Sequence, residues 1–461
     1  MLHFLMSNPI FLTSLLVKFT ESQSAALKHF EEFESDASPN KCFVLKGYAG
    51  TGKTTMVSFL VQKYKSERKK IKLLAPTGRA AKVMSHYAKF PAATIHKQIY
   101  YLNDVLEGKG LSKAKNMFHD TLFVVDEASM VGIDHLGKEG DLLNDLLDYV
   151  YCGQGCSLVL VGDPGQLPPV GQTNSPALSP EYLGQCYQSL KIYVYTLKEV
   201  VRQASSSQII QNATFLRLPS TKQTPFFQDI GCDVIRTSGI DLMEHLQSIP
   251  SNEMNSFVVL TLSNKRADRW NQEIRKTLFG YDEFIERGEL LMVVKNNYHW
   301  AADREMGFIA NGEMLKVERV VKEEECFGFS FIHLIAANPE GEEFSLICFK
   351  DTVNSGLPNM PREHQRQLFF EIEKDYIHEK NKKKRYQLIL KNPHFNALQI
   401  KYAYAVTAHK AQGGQWKHVF IDYSFLPENM ETRGYLQWLY TCMTRATDKV
   451  YLVNFPDHYF G

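Results

Sequence analysis

Short apolar runs, each closed by small or polar residues and followed by a stretch with helical spacing, recur along most of the chain. Cys42-Phe43-Val44-Leu45, Ile71 to Ala75, Leu122 to Val125 and Ser157 to Val161 are the first four. None alternates apolar with polar, so each predicts a strand covered on both faces, as in a parallel sheet flanked by helices. The rhythm restarts at Phe257 to Leu262 and resumes at Tyr402 to Thr407, Val419 to Asp422 and Lys449 to Val453, with a helix from Leu436 to Met443. Between these blocks, from about Gly288 to Lys391, the period shortens to two. Leu290 to Val294, Glu313 to Val321, Phe329 to Ile335 and Phe344 to Phe349 read as half-buried strands, and Arg362 to Leu390 as a charged helical stretch.

This pattern predicts an α/β protein with two parallel-sheet domains in tandem. The first is expected over 1–195, with a small hairpin insertion near 100–120, and the second over 196–287 and 396–461. A β-rich insertion is expected over 288–395.

The chemistry gathers where strands end. After Cys42–Leu45 comes Gly47-Tyr48-Ala49-Gly50-Thr51-Gly52-Lys53-Thr54-Thr55, then the apolar helix start Met56-Val57. Glycines let the backbone turn and aim its N–H groups inward, and the helix N-terminus adds a positive dipole end. That cradle suits ATP: Gly50, Thr51, Gly52 and Thr55 in the loop and helix start, Lys53 on the phosphates and Thr54 on Mg²⁺. Leu122–Val125 ends in Asp126-Glu127, a pair that beside a phosphate loop would hold the metal shell and orient or deprotonate the attacking water. Gln166, on the Gly/Pro turn after Val161, is placed to sense the γ-phosphate. Gln23 precedes the loop on a helix opened by Thr20 and can present an amide to adenine. Arg202 and Arg445 are candidate cations for the transition-state charge. Thr77 and Arg79, and Thr94 with His96, occupy further strand ends at the ligand-binding edge. Asn264 closes the strand that starts the second block.

Lys and Arg number 52 against 51 for Asp and Glu, so any basic groove has to come from local placement. The eight cysteines lack the paired spacing of a zinc site and the density of a disulfide scaffold, which points to a reducing, cytoplasmic setting. Met1 to Val17 is apolar but has no basic leader or small-residue cleavage site, so it is expected to pack as a helix on the first domain.

Taken together, GYAGTGKTT at 47, APTGRAAK at 75, TIH at 94, VVDEASM at 124, VGDPGQLPPVG at 161, the Arg202 segment, TAHKAQGGQ at 407 and YTCMTRA at 440 make the chain resemble the superfamily 1 DNA helicases. Within them it resembles the RecD-like and Dda-like group that moves 5′ to 3′. The resemblance implies two RecA-like domains with an SH3-like insertion in the second, ATP and Mg²⁺ as cofactors, and single-stranded DNA and duplex junctions as partners. Replication or repair proteins are also implied, with a monomer as the acting unit. It assigns Gln23 to adenine, Lys53 and Thr54 to phosphate and metal, Asp126 and Glu127 to metal and water, Gln166 to the γ-phosphate, and Arg202 and Arg445 to the phosphates across the cleft. It turns Thr77, Thr94, His96, Thr407 and His409 toward the strand, with Gln412 and Gly413 coupling strand to nucleotide. Two other readings stay open: a strand-binding remodeller or clamp that does not unwind, and a phosphotransferase built on a phosphate loop.

Overall fold

The computed structural model describes residues 19–101, 112–133, 141–200, 207–217, 227, 230–250, 253, 256–300, 308–423 and 432–460. The expected packing of residues 1–17, residues 102–111 of the 100–120 insertion, and Arg202 lie outside them. Of the insertion, an antiparallel bridge between Tyr100 and Lys113 marks the base.

The first lobe is a six-stranded sheet in the order β3-β2-β4-β5-β1-β6. Its strands are β1 (Lys41–Gly47), β2 (Lys70–Ala75), β3 (Ala92–Thr94), β4 (Thr121–Val125), β5 (Ser157–Gly162) and β6 (Lys191–Leu197). Every pairing is parallel. Its helices are α1 (Glu21–Ser35), α2 (Lys53–Ser66), α3 (Gly78–Ala88), α4 (Ile95–Ile99), α5 (Leu142–Tyr151) and α6 (Pro180–Cys186). The continuous apolar runs are explained by what covers them: Phe43, Leu45, Val124, Val159 and Val161 face α2 in one core. Their neighbours Cys42, Val44, Val125, Leu158 and Leu160 face α5 in the other. β6 ends at Leu197, so the first sheet runs two residues beyond the boundary read from the sequence.

The second lobe is a five-stranded parallel sheet in the order β14-β8-β15-β16-β7. It contains β7 (Val234–Thr237), β8 (Phe257–Thr261), β14 (Ala405–Thr407), β15 (Trp416–Asp422) and β16 (Ala446–Val453). Helices α7 (Gln208–Leu216), α8 (Asp241–Gln247), α9 (Asn264–Ile274), α12 (Ala408–Ala411) and α13 (Thr432–Met443) accompany it.

Between α9 and β14 of the second lobe the chain forms a closed barrel, β10-β11-β12-β13-β9, from β9 (Leu290–Val293), β10 (Met314–Cys326), β11 (Phe329–Ala337), β12 (Glu343–Phe349) and β13 (Leu398–Tyr402). Two helices, α10 (Arg362–Asp375) and α11 (Lys382–Lys391), cover one side. The charged stretch is therefore broken in two, because Asn381 caps α11 by accepting from the Lys383 and Lys384 N–H groups. β10 continues five residues past Val321, through Lys-Glu-Glu-Glu-Cys, because β11 pairs with it across the Phe327-Gly328 turn and its charges stay on the solvent side. β13 belongs to the barrel although the sequence placed it in the second parallel domain. It is buried throughout on both sides and so reads like a parallel core strand.

Candidate active site

The loops after β1, β4 and β5 open at one edge of the first sheet. Gly50 and Gly52 take φ of 77° and 83°, a backbone that other residues adopt only under strain. At Gly47 an added Cβ would stand 2.6 Å from Thr51 Oγ1. Lys53 donates to the Gly47 and Tyr48 carbonyls at 2.7 and 3.1 Å and lies 3.7 Å from the buried Asp163 carboxylate. Thr51 is buried and donates to the Tyr48 carbonyl, while Thr54 and Thr55 stand in the first turn of α2, with Thr54 exposed. Gln23 is 1% exposed. Its oxygen accepts from the Thr20 N–H and its nitrogen donates to the Thr51 carbonyl at 3.2 Å, so its amide braces the loop.

Asp126 accepts from the Glu127 N–H at 2.8 Å with one oxygen and from the Tyr87 hydroxyl at 2.5 Å with the other. The first of these bonds steadies Glu127 at a φ of 51°, a left-handed backbone. Burial, and then the neighbouring Asp126 charge, push the Glu127 carboxyl up; Arg445 and Lys53 oppose them. Gln166 is 5% exposed, and its side-chain oxygen has no hydrogen-bond partner among the described residues.

The second lobe reaches into this edge. Tyr440 on α13 accepts from the Ala49 N–H and donates to Asp163 Oδ2, both at 2.8 Å. Its ring covers Gly165, where an added Cβ would meet it at 2.9 Å. One residue on, Thr441 accepts from the Leu167 N–H at 2.9 Å, and Gln412 donates to the Leu167 carbonyl at 3.2 Å. Arg445 is held by the Thr441 and Gly414 carbonyls and Thr444 Oγ1. Thus a loop of the first sheet is gripped from three positions of the second lobe.

Comparison with known proteins agrees with this two-lobed plan. Residues 18–225 match the family described as "AAA domain", and residues 402–453 match "UvrD-like helicase C-terminal domain". The chain is 33% identical over 174 residues to the ATP-dependent RecD2 DNA helicase of Deinococcus radiodurans, covering 38% of this chain and 21% of that one. It is 27% identical over 260 residues to the ATP-dependent DNA helicase dda of Enterobacteria phage T4, covering 54% and 55%. These matches make the chain similar to superfamily 1 helicases in both lobes. The Pif1 helicase from Bacteroides, solved with ADP-AlF3 and single-stranded DNA, shares the fold at a TM-score of 0.51 and 15% identity, over 96% of this chain and 95% of that one.

Several residues expected on the strand also make contacts within the protein. Arg79 lies between the lobes, its guanidinium 4.3 Å over the Trp416 ring, and burial, then Arg445, lower its pKa to about 10. Thr77 and Thr94 cap α3 and α4 by accepting from the Ala80 and Lys97 N–H groups, both at 3.2 Å. Thr407 is 9% exposed at the start of α12. Asn264 opens α9 and is half-buried; His96 is half-buried beside Tyr100, and His409 is exposed.

Residues without an assigned role in the sequence also meet at this edge. Tyr440 and Asp163 join the lobes, Tyr87 holds Asp126, and Arg217 stacks 3.9 Å from the Tyr48 ring. Asp163 had two available signals: it follows β5 as Asp126 follows β4, and it stands in the quoted VGDPGQLPPVG stretch. Tyr440 opens the quoted YTCMTRA stretch, but its role was hidden because its partners lie 391 and 277 positions away.

Proposed function

We propose that this chain is an ATP-driven motor that moves along single-stranded DNA, in the 5′ to 3′ sense, and separates duplex at junctions in replication, recombination or repair. The observation that carries this reading is the Tyr440 contact. The side chain that touches the phosphate loop through Ala49 also touches the β5 loop through Asp163, and it comes from the opposite lobe. A phosphotransferase needs only a lid over its nucleotide; a second parallel sheet gripping the phosphate loop converts changes there into lobe movement.

The loop fits a nucleoside triphosphate. Its left-handed glycines keep the cradle clear, Lys53 stands at its mouth, and the orphaned Gln166 oxygen lies buried beside it. Backbone N–H groups of residues 50–55 and the Lys53 ammonium would hold the phosphates; Thr54 and Asp126 would hold Mg²⁺. Bound ATP·Mg²⁺ supplies the phosphoryl group and the charge whose loss drives the cycle. Glu127, with its carboxyl raised by burial and by Asp126, accepts a proton from a water it orients. Arg445 already bears on the Glu127 charge and answers to the phosphates across the cleft. Arg202 is proposed for the same task from the sequence. Thr77, Thr94, His96, Asn264, Thr407 and His409, at strand ends and helix starts, are proposed to meet the DNA backbone, with Gln412 relaying its grip to Leu167.

The chain spans 21% of RecD2 and 55% of dda, so the full activities of those proteins are not carried over. Strand displacement on forked substrates with a 5′ or a 3′ single-stranded tail tests the proposal. Displacement confined to the 5′-tailed substrate is the expected result. DNA-stimulated ATP hydrolysis without displacement on either would identify a clamp.

A further inference from the structure

Far along the chain from the phosphate loop, on the outer wall of the barrel, three metal-ligating side chains converge and a fourth, His333, stands against the carboxylate they share. Glu324 and Cys326 lie on β10, His333 on β11 and His394 on the turn after α11. The Nε2 atoms of His333 and His394 stand 2.6 and 2.7 Å from the same carboxylate oxygen, Glu324 Oε1. Ligand atoms of Glu324, Cys326 and His394 all fall within 4.8 Å of one another. Lys322 occupies the other carboxylate oxygen at 2.5 Å, leaving Oε1 to the cluster.

We propose that Glu324, Cys326, His333 and His394 form a structural zinc site. The donor set is two imidazole nitrogens, a thiolate and a carboxylate, which is a zinc set in type and number. One thiolate and one carboxylate also balance the two positive charges of the ion. In a tetrahedral site the ligand atoms stand about 3.2–3.8 Å apart, so the imidazoles would retreat by about half an ångström. On binding, the Cys326 thiol releases its proton to solvent. Each imidazole moves its proton from Nε2 to Nδ1, so that Nε2 presents a lone pair to the metal.

The site has a mechanical sense. The β10–β11 hairpin is long and charged, and His394 belongs to the segment that returns from α11 to β13. A metal there joins hairpin to helical layer, beside Phe327 and Phe331, whose rings lie 5.6 and 5.0 Å from His394. No pair of closely spaced cysteines announces it, because its ligands are separated by up to 70 positions.

The test uses the full chain, stripped with chelator, re-equilibrated with Zn²⁺ and passed through a desalting column. About one equivalent is expected to remain, falling to about a tenth or less in Cys326→Ser and His394→Asn, with melting temperature raised by zinc in the parent only. Co²⁺ is the second probe, used on a variant in which Cys152, Cys186 and Cys232 are serine. A thiolate-to-cobalt charge-transfer band with tetrahedral d–d absorption supports the site even where Cys326→Ser fails to fold. No retained zinc, zinc retained equally by both variants, or no thiolate band would each overturn the proposal.

Discussion

Replacing Tyr440 with Phe removes one oxygen and leaves the ring over Gly165. The half-buried Ala49 N–H and the buried Asp163 Oδ2, each 2.8 Å from the hydroxyl, then lose their partner. Leaving a buried donor or acceptor unmatched costs about 1–3 kcal/mol. Asp163 keeps its bond from the Gly165 N–H at 2.9 Å and the Lys53 ammonium at 3.7 Å, so the lower part of the range applies to it. A combined cost of about 2–3 kcal/mol falls on the docked arrangement of the lobes, which shifts that equilibrium by roughly 30- to 150-fold. Nucleotide binding by the first lobe alone does not require the hydroxyl. The assay is ATP turnover with and without single-stranded DNA, beside nucleotide affinity measured by fluorescence. Tyr440→Phe is expected to keep nucleotide affinity within about threefold and to lose most of its DNA stimulation, by about tenfold or more. Full stimulation with normal affinity would refute the reasoning, because the lobes would then communicate without the only hydroxyl that spans the two loops among the described residues.

Lys53→Ala is expected to abolish hydrolysis while strand binding persists; turnover near the parent rate would sink the phosphate-loop assignment. Glu127→Gln keeps shape and removes the base, so turnover should fall by about 10²- to 10⁴-fold with ATP still bound, as single-turnover and binding measurements would show. Arg79→Ala is expected to leave strand affinity within a few-fold and to weaken DNA stimulation less than Tyr440→Phe does, since an Arg–Trp stack is worth about 0.5–2 kcal/mol. A large loss of strand affinity would return Arg79 to the DNA face.

The parallel sheets were legible because burial on both faces leaves uninterrupted apolar runs, and the phosphate loop because its glycines, lysine and threonine must be adjacent to work. Asp126 and Glu127 were legible for the same reason. What escaped depends on contacts between distant positions. Tyr440 stands in the quoted YTCMTRA stretch, but only the fold brings it to Ala49. Arg79 stands at the expected strand end, and only the fold shows Trp416 from the second lobe stacked on it. Gln23 reads from the sequence as an adenine contact, and only the fold shows that it also caps α1 and braces Thr51. The length of β10 escaped because its end is charged and its pairing partner comes later in the chain.

The central claim is that the charge held at the Lys53 loop sets the spacing of the two lobes. Cys152 and Cys232 are exposed, one on each lobe, and serve as sites for a donor and acceptor dye. With single-stranded DNA present, transfer efficiency is expected to take one value with a non-hydrolysable ATP analogue and a lower one with ADP, and to lose that difference in Tyr440→Phe. A single efficiency in every nucleotide state of the parent chain would contradict the account.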